Sequence, residues 1–95
     1  HEASAYLASK RALEQMTKGI AQELAPRGIT VNAVAPGITD TCVLTETYRE
    51  LGIRRSPMQR VGHPAEIADV VGFLVSEEAR WVTGQTIQVG GGIVM

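Results

Sequence analysis

The sequence predicts an α/β fold built on a parallel sheet, here two strands with flanking helices. Three features carry that expectation. An amphipathic stretch of helical period fills residues 4 to 25, a β-rich run at 29 to 35 is bounded by glycine and proline, and a second helix and strand follow at 64 to 76 and 85 to 89. Helix alternating with strand is the pattern that builds parallel sheets.

Composition bounds what such a chain can do. With 95 residues, 44% hydrophobic and 20% charged, it fits one small globular domain. The formal net charge of −1 has no basic run behind it, which argues against nucleic acid or an acidic membrane surface as the main partner and leaves small molecules. Cys42 is the only cysteine, so no disulfide framework and no cysteine-rich metal site is expected, in keeping with a reducing, cytoplasmic setting. The longest apolar run, Ile67 to Val75, is broken by Asp69 and is far shorter than the roughly 20 residues a membrane span requires. The chain opens at His1 directly into helical sequence and reads as the back part of something longer.

In the first helix, Leu13, Met16, Ile20 and Leu24 recur at helical spacing, and Ala5, Ala8, Ala12 and Gly19 supply a second, small-residue surface, so two packing faces are expected. Ser4 is the expected N-cap, and Pro26 followed by Gly28 stops the helix. Glycine costs up to about 1 kcal/mol relative to alanine inside a helix, so Gly19 suggests close approach by another helix, from this subunit or a second one. Near the start of the helix stands Tyr6-Leu7-Ala8-Ser9-Lys10, a phenol and an ammonium four residues apart. Such residues share a helical face, and a nearby cation stabilises a phenolate, so proton transfer to or from a substrate oxygen is the chemistry this turn could support. A solvated helix pair has the same spacing.

The strand Ile29 to Ala35 is expected to be buried on both faces. Ligands of parallel sheets bind just beyond the carboxyl ends of the strands, and Pro36-Gly37-Ile38-Thr39-Asp40-Thr41 occupies that place, although an ordinary turn explains the same residues. Between 42 and 59, Val43, Leu44, Tyr48 and Leu51 have roughly helical spacing before Gly52 and Ser56-Pro57. His63 stands just before Pro64 and reads as a solvent-facing boundary residue of the next helix, not a catalytic one. That helix carries Ile67, Val70, Val71, Leu74 and Val75 on one face, with Glu66 suited to its first turn. Trp81 is expected to be packed, and Gln85 to Val89 reads as the final strand.

Tyr6-x-x-Ser9-Lys10 followed by Asn32-Ala33-Val34-Ala35-Pro36-Gly37 resembles the short-chain dehydrogenase/reductase family in order and spacing, across essentially the whole chain. Arg60 to Ala68, Phe73 to Ser76 and Val82-Thr83-Gly84-Gln85 are similar to that family's C-terminal third. The resemblance implies residues 1–95 as the C-terminal portion of a single doubly wound, Rossmann-like domain, with the nucleotide-binding βαβ units and the catalytic serine upstream. It implies NAD or NADP as cofactor and hydride transfer between nicotinamide and a carbonyl or alcohol substrate. Tyr6 would be the catalytic acid/base, and Lys10 would lower its pKa and bind the nicotinamide ribose. Pro36, Gly37, Ile38, Thr39 and Thr41 would contact the nicotinamide and pyrophosphate.

Residues 42–59 correspond by resemblance to the substrate lid, making Cys42, Val43, Leu44, Tyr48 and Met58 candidates to line the substrate pocket; a plain amphipathic surface helix accounts for the same residues. No metal is expected. The Arg60 to Pro64 and Trp81 to Gly84 segments look most like 3-oxoacyl-carrier-protein reductases and the fungal hydroxynaphthalene reductases. Gly90 stands where the family usually has Asp or Asn, which predicts a looser tail. A homodimer or homotetramer is expected by resemblance. Two other readings remain at this point: a catalytically incompetent piece that only self-associates, and epimerase or dehydratase chemistry on the same residues.

Overall fold

The computed structural model describes residues 2–41 and 43–93, so Cys42 lies outside the described residues. Its elements are α1 (Glu2–Leu24), β1 (Ala33–Pro36), α2 (Glu46–Arg55), α3 (Pro64–Leu74) and β2 (Thr86–Val89), with short 3-10 turns at Ala25–Arg27 and Glu77–Ala79. β1 and β2 pair in parallel, Ala33 opposite Thr86 through Pro36 opposite Val89. This is the α/β arrangement expected from the sequence.

β1 begins four residues later than its β-rich run because side chains replace the ladder ahead of it. The Val31 N–H donates to Thr83 Oγ1 at 3.0 Å, and the Gly84 N–H donates to the Val31 carbonyl at 2.7 Å. Asn32 then spans the gap, its Nδ2 donating to the Val82 carbonyl at 3.0 Å while its Oδ1 accepts the Gln85 N–H at 3.1 Å. The Asn32 and Val82-Thr83-Gly84-Gln85 segments, 50 residues apart in sequence, therefore form one clamp that sets the register of the sheet.

Strand side chains alternate between faces. Val34 looks with Val71 and Leu74 into a cavity against α3, whereas Ala35 and Gln88 face a cleft against α1. α3 packs on one face of the sheet while the other opens onto the cleft, so the run from Ile29 to Ala35 is not buried on both faces as expected: Ile29 is exposed and residues 31–35 are half-buried. The buried apolar residues are Ala21, Val61, Leu74 and Ala79, joined by Thr17 and Ser56.

Several local expectations change. Ser4 lies inside α1 and does not cap it. α1 rests on Thr17 and Ala21, the latter against the turn at Gly84, where φ is +75° and an added Cβ would lie 3.5 Å from the Ala21 methyl. The larger stripe of Leu13, Met16 and Ile20 stays exposed, since a two-stranded sheet is too narrow to cover a helix of 23 residues. Apart from the backbone of its own turn and its chain neighbours, no atom of the described residues approaches within 4 Å of where a Gly19 side chain would be.

α2 does not stop at Gly52 but runs through it to Arg55, because the missing side chain is what lets the helix sit on Ile38 and Val61. Val75 follows α3 at the rim of the Val34 cavity and is 81% exposed, so it does not join the packed face. Trp81 is 96% exposed rather than packed. It follows the 3-10 turn at Glu77–Ala79, whose buried residue is Ala79.

Candidate active site

α1 brings Tyr6 and Lys10 onto one face, as their spacing requires, with Lys10 Nζ 5.4 Å from the centre of the Tyr6 ring. That is within cation–π range, so the ammonium sits over the phenol ring itself. Ser9, between them in sequence, turns away: its Oγ donates to the Tyr6 carbonyl at 2.7 Å, along the helix.

Tyr6 and Lys10 open onto a cleft of about 370 Å³, whose opposite wall includes Ala35, Pro36, Ile38, Gln88 and Ile93. It therefore lies where β1 ends, the position at which parallel sheets receive ligands. Of the residues expected at a cofactor loop, Pro36 and Ile38 share this cleft with Tyr6 and Lys10. Gly37 is adjacent but faces the chain itself: a Cβ there would come within 2.7 Å of Gly90 Cα, so its glycine permits the two strand ends to touch. The Gly37 N–H continues the pairing with the Val89 carbonyl at 3.0 Å. Thr39 is half-buried, its hydroxyl donating to the Gly37 carbonyl at 3.0 Å, and its backbone bridges to Gly62. Thr41 is exposed beyond this bridge.

The expected substrate residues are less concentrated. Val43 and Tyr48 are 82% and 58% exposed, Leu44 is half-buried, and none of the three lines the Tyr6 cleft. Met58 lines a neighbouring cavity of about 330 Å³ with Ile38, Arg60, Glu66 and Gly90 to Gly92. Ile38 and Gln88 form the partition shared by both spaces. Residues that sequence reasoning missed are Arg11, Glu14 and Arg55. All three line the Tyr6 cleft, and Arg11 is paired to Glu14 at 3.1 Å. Arg11 and Glu14 continue the helical face of Leu7 and Lys10, a signal present in the spacing; Arg55 reaches the cleft only because α2 continues past Gly52.

The segments around the cleft are tied by charge and backbone. Arg60 grips Glu66 with two hydrogen bonds of 2.6 Å, and Glu66 Oε1 also accepts the His63 N–H at 2.9 Å. The Arg60 guanidinium, helped by that N–H, holds the Glu66 carboxyl down to about 2. His63 is the exposed N-cap of α3, the boundary role expected of it. The Gly90 to Gly92 turn is not left loose by its missing side chain. Met58 N–H and Ser56 Oγ donate to the Gly91 carbonyl at 3.1 and 3.3 Å, and the Ile93 N–H closes the turn on the Gly90 carbonyl at 3.2 Å. Among the described residues there is no cluster of His, Cys, Asp or Glu able to hold a metal, and no helix long and apolar enough to cross a membrane.

The fold, with the Tyr6–Lys10 turn set beside the carboxyl end of β1, defines the class: an α/β chain of the short-chain dehydrogenase/reductase kind. The family described as enoyl-(acyl carrier protein) reductase matches residues 1–94, and the chain belongs to it. The 3-oxoacyl-[acyl-carrier-protein] reductase FabG of Pseudomonas aeruginosa is 48% identical, covering 95% of this chain and 38% of its own length. The uncharacterised oxidoreductase YjdA of Bacillus subtilis is 47% identical over 95% of this chain and 36% of its own. Among solved structures, a 3-oxoacyl-[acyl-carrier protein] reductase of Brucella melitensis superposes with a TM-score of 0.87 at 43% identity, over 95% of this chain and 35% of that one. Another from the same organism, with bound NAD, gives 0.86 at 44% identity, over 95% and 33%. The chain thus spans a little over a third of the length of the relatives it matches.

Proposed function

We propose that residues 1–95 are the C-terminal portion of one Rossmann-like domain in an NAD(P)-dependent oxidoreductase that interconverts a carbonyl and an alcohol. The observation that carries this reading is the placement of Tyr6 and Lys10 on one helical turn, facing Pro36 and Ile38 across a cleft at the end of β1. A nicotinamide and its ribose fit the groups present: an ammonium and a phenol on one wall, an apolar strand end on the other, and space of about 370 Å³ between them. Lys10 would hold the ribose hydroxyls, Pro36, Gly37 and Ile38 would flank the nicotinamide, and Thr39 and Thr41 would reach its amide or the pyrophosphate. When bound, this cofactor supplies or accepts the hydride.

The rest of the chemistry belongs to Tyr6. In reduction its O–H donates the proton to the substrate oxygen as the carbonyl carbon becomes tetrahedral, and in oxidation the same oxygen takes the proton back. The Lys10 ammonium over the ring steadies the negative charge left on the phenol oxygen. Val43, Leu44, Tyr48 and Met58, with Cys42, are the proposed substrate-facing residues of a lid formed by 42–59, which would reach the cleft on closure.

The substrate class favoured is a 3-oxoacyl thioester, supported by the names of the similar reductases. The reading extends to a cytoplasmic homodimer or homotetramer, for which the exposed apolar stripe of α1 is the local support. Tyr6→Phe in the full chain tests it. Reduction of acetoacetyl-coenzyme A, followed at 340 nm with NADPH or NADH, should fall by at least about a hundredfold, the scale of a lost general acid, while cofactor fluorescence titration is unchanged. Retained turnover in Tyr6→Phe overturns the assignment.

A further inference from the structure

Two contacts among the described residues hold helix α2 to the rest of the chain. One is steric, the contact of Gly52 with Ile38 and Val61. The other is ionic: Arg49 Nη2 lies 2.8 Å from Asp40 Oδ1 and Nη1 lies 3.1 Å from Oδ2, a two-pronged pairing of guanidinium and carboxylate. Such pairs fix orientation as well as distance, because both groups are planar and both prongs must align. Glu46, one turn earlier on α2, adds a longer contact of 3.8 Å to Arg49 Nε.

Asp40 is itself immobilised. Its N–H donates to the Gly62 carbonyl at 2.7 Å, next to the bridge between Thr39 and Gly62. The hydrogen bonds from Arg49 hold its carboxyl below the usual carboxylate range, against the opposing effect of burial, with the Arg49 charge and then the His63 charge adding to them. Asp40 therefore joins three segments: the loop that leaves β1 beside the Tyr6 cleft, the Arg60 to His63 strip, and α2. Arg49 lies on the α2 side of that junction, and Arg55, at the far end of the same helix, lines the cleft. A rigid helix pinned near its start and resting on Gly52 has its far end placed by those two contacts.

We propose that the Asp40–Arg49 pair is the latch that sets the seat of α2 at the rim of the cleft, from which the lid closes, which makes both residues positioning residues for substrate. The proposal rests on the reading of Tyr6 as acid/base and of 42–59 as the lid. Asp40 touches neither substrate nor cofactor in it; it acts through Arg49 and the helix.

The test uses the full chain with acetoacetyl-coenzyme A and NADPH or NADH. Asp40→Ala and Arg49→Ala should each raise the KM for the thioester about three- to tenfold, the scale of a two-pronged but partly solvated pair, with kcat within about twofold of wild type. The exchanged pair Asp40→Arg with Arg49→Asp should recover most of that loss. Hydrogen–deuterium exchange provides the measurement that does not depend on turnover: amides of 46–55 should exchange faster in either single variant, while those of 64–74 keep their wild-type rates. An unchanged KM, a fall in kcat at constant KM, an exchanged pair no better than the singles, or equal acceleration of 46–55 and 64–74 each overturns the latch. Failure of the underlying reading is separable, since it appears as turnover in Tyr6→Phe; failure of the latch appears with Tyr6→Phe inactive and the Asp40 and Arg49 variants wild-type.

Discussion

Adding one methyl group at Gly52 tests how α2 is seated. A Cβ there would stand 2.7 Å from Val61 Cγ1, 2.8 Å from Ile38 Cγ2 and 3.2 Å from Ile38 Cβ. Carbon atoms in contact settle about 3.5–4.0 Å apart, so Gly52→Ala forces two side chains to give way by most of an ångström. Val61 is buried, and on Ile38 the added methyl meets Cβ as well as Cγ2, so turning the side chain alone does not relieve the contact. Alanine in place of glycine inside a helix favours the helix by about 0.5–1 kcal/mol, whereas overpacking of this kind costs about 1–3 kcal/mol. Taking the middle of each range, the balance is a net loss of about 1 kcal/mol. Gly19→Ala is the matched control, because it adds the same methyl to a helix interior with nothing within 4 Å, and should stabilise by up to about 1 kcal/mol. Urea unfolding of the full chain, read by circular dichroism, measures both. Gly52→Ala as stable as wild type would refute the claim that this glycine exists for contact, and a Gly19→Ala protein that loses stability would show a neighbour packed on that face from outside these residues.

Asn32→Ala removes a donor to the half-buried Val82 carbonyl and an acceptor for the exposed Gln85 N–H; a loss of about 0.5–1.5 kcal/mol per hydrogen bond in urea unfolding is expected, and Asn32→Asp should recover only part of it. Glu66, whose folded pKa of about 2 lies below its ordinary value of 4.5, contributes stability that is complete above pH 4.5 and is lost as pH falls toward 2. The acid limb of stability for Glu66→Gln should therefore be shallower than that of wild type between those limits, and parallel limbs would show that the Arg60 pairing does not count.

What the sequence disclosed depended on the range of the interaction. Helical periodicity and the punctuation at Pro26, Gly28, Pro36 and Pro64 are local, so the order of elements and the common face of Tyr6 and Lys10 were legible without a structure. The roles of individual glycines were not. Gly52 reads as a helix stop by its type and is a docking point by its neighbours, which lie 9 and 14 positions away. Gly37 reads as a place for a ligand to approach and is first a place for Gly90 to approach, 53 positions on. Trp81, Leu13, Met16 and Ile20 were expected to be covered because their types favour burial, but burial also needs an opposing surface, which these two strands do not provide.

The same distinction explains why the family signature is denser than the site. Asn32, Thr83, Gly84 and Gln85 belong to matched segments, yet they spend their polar groups on one another, holding β1 beside β2. Their contribution to chemistry is indirect: the cleft exists because β1 ends where it does, and β1 ends where it does because this clamp fixes its start. Tyr6 and Lys10 impose the opposite requirement, since their groups must stay uncommitted within the chain to be available to a ligand. Both kinds of residue produce a recognisable pattern, but only free polar groups directed at a shared space can carry a reaction, and in these residues that space lies between α1 and the end of β1.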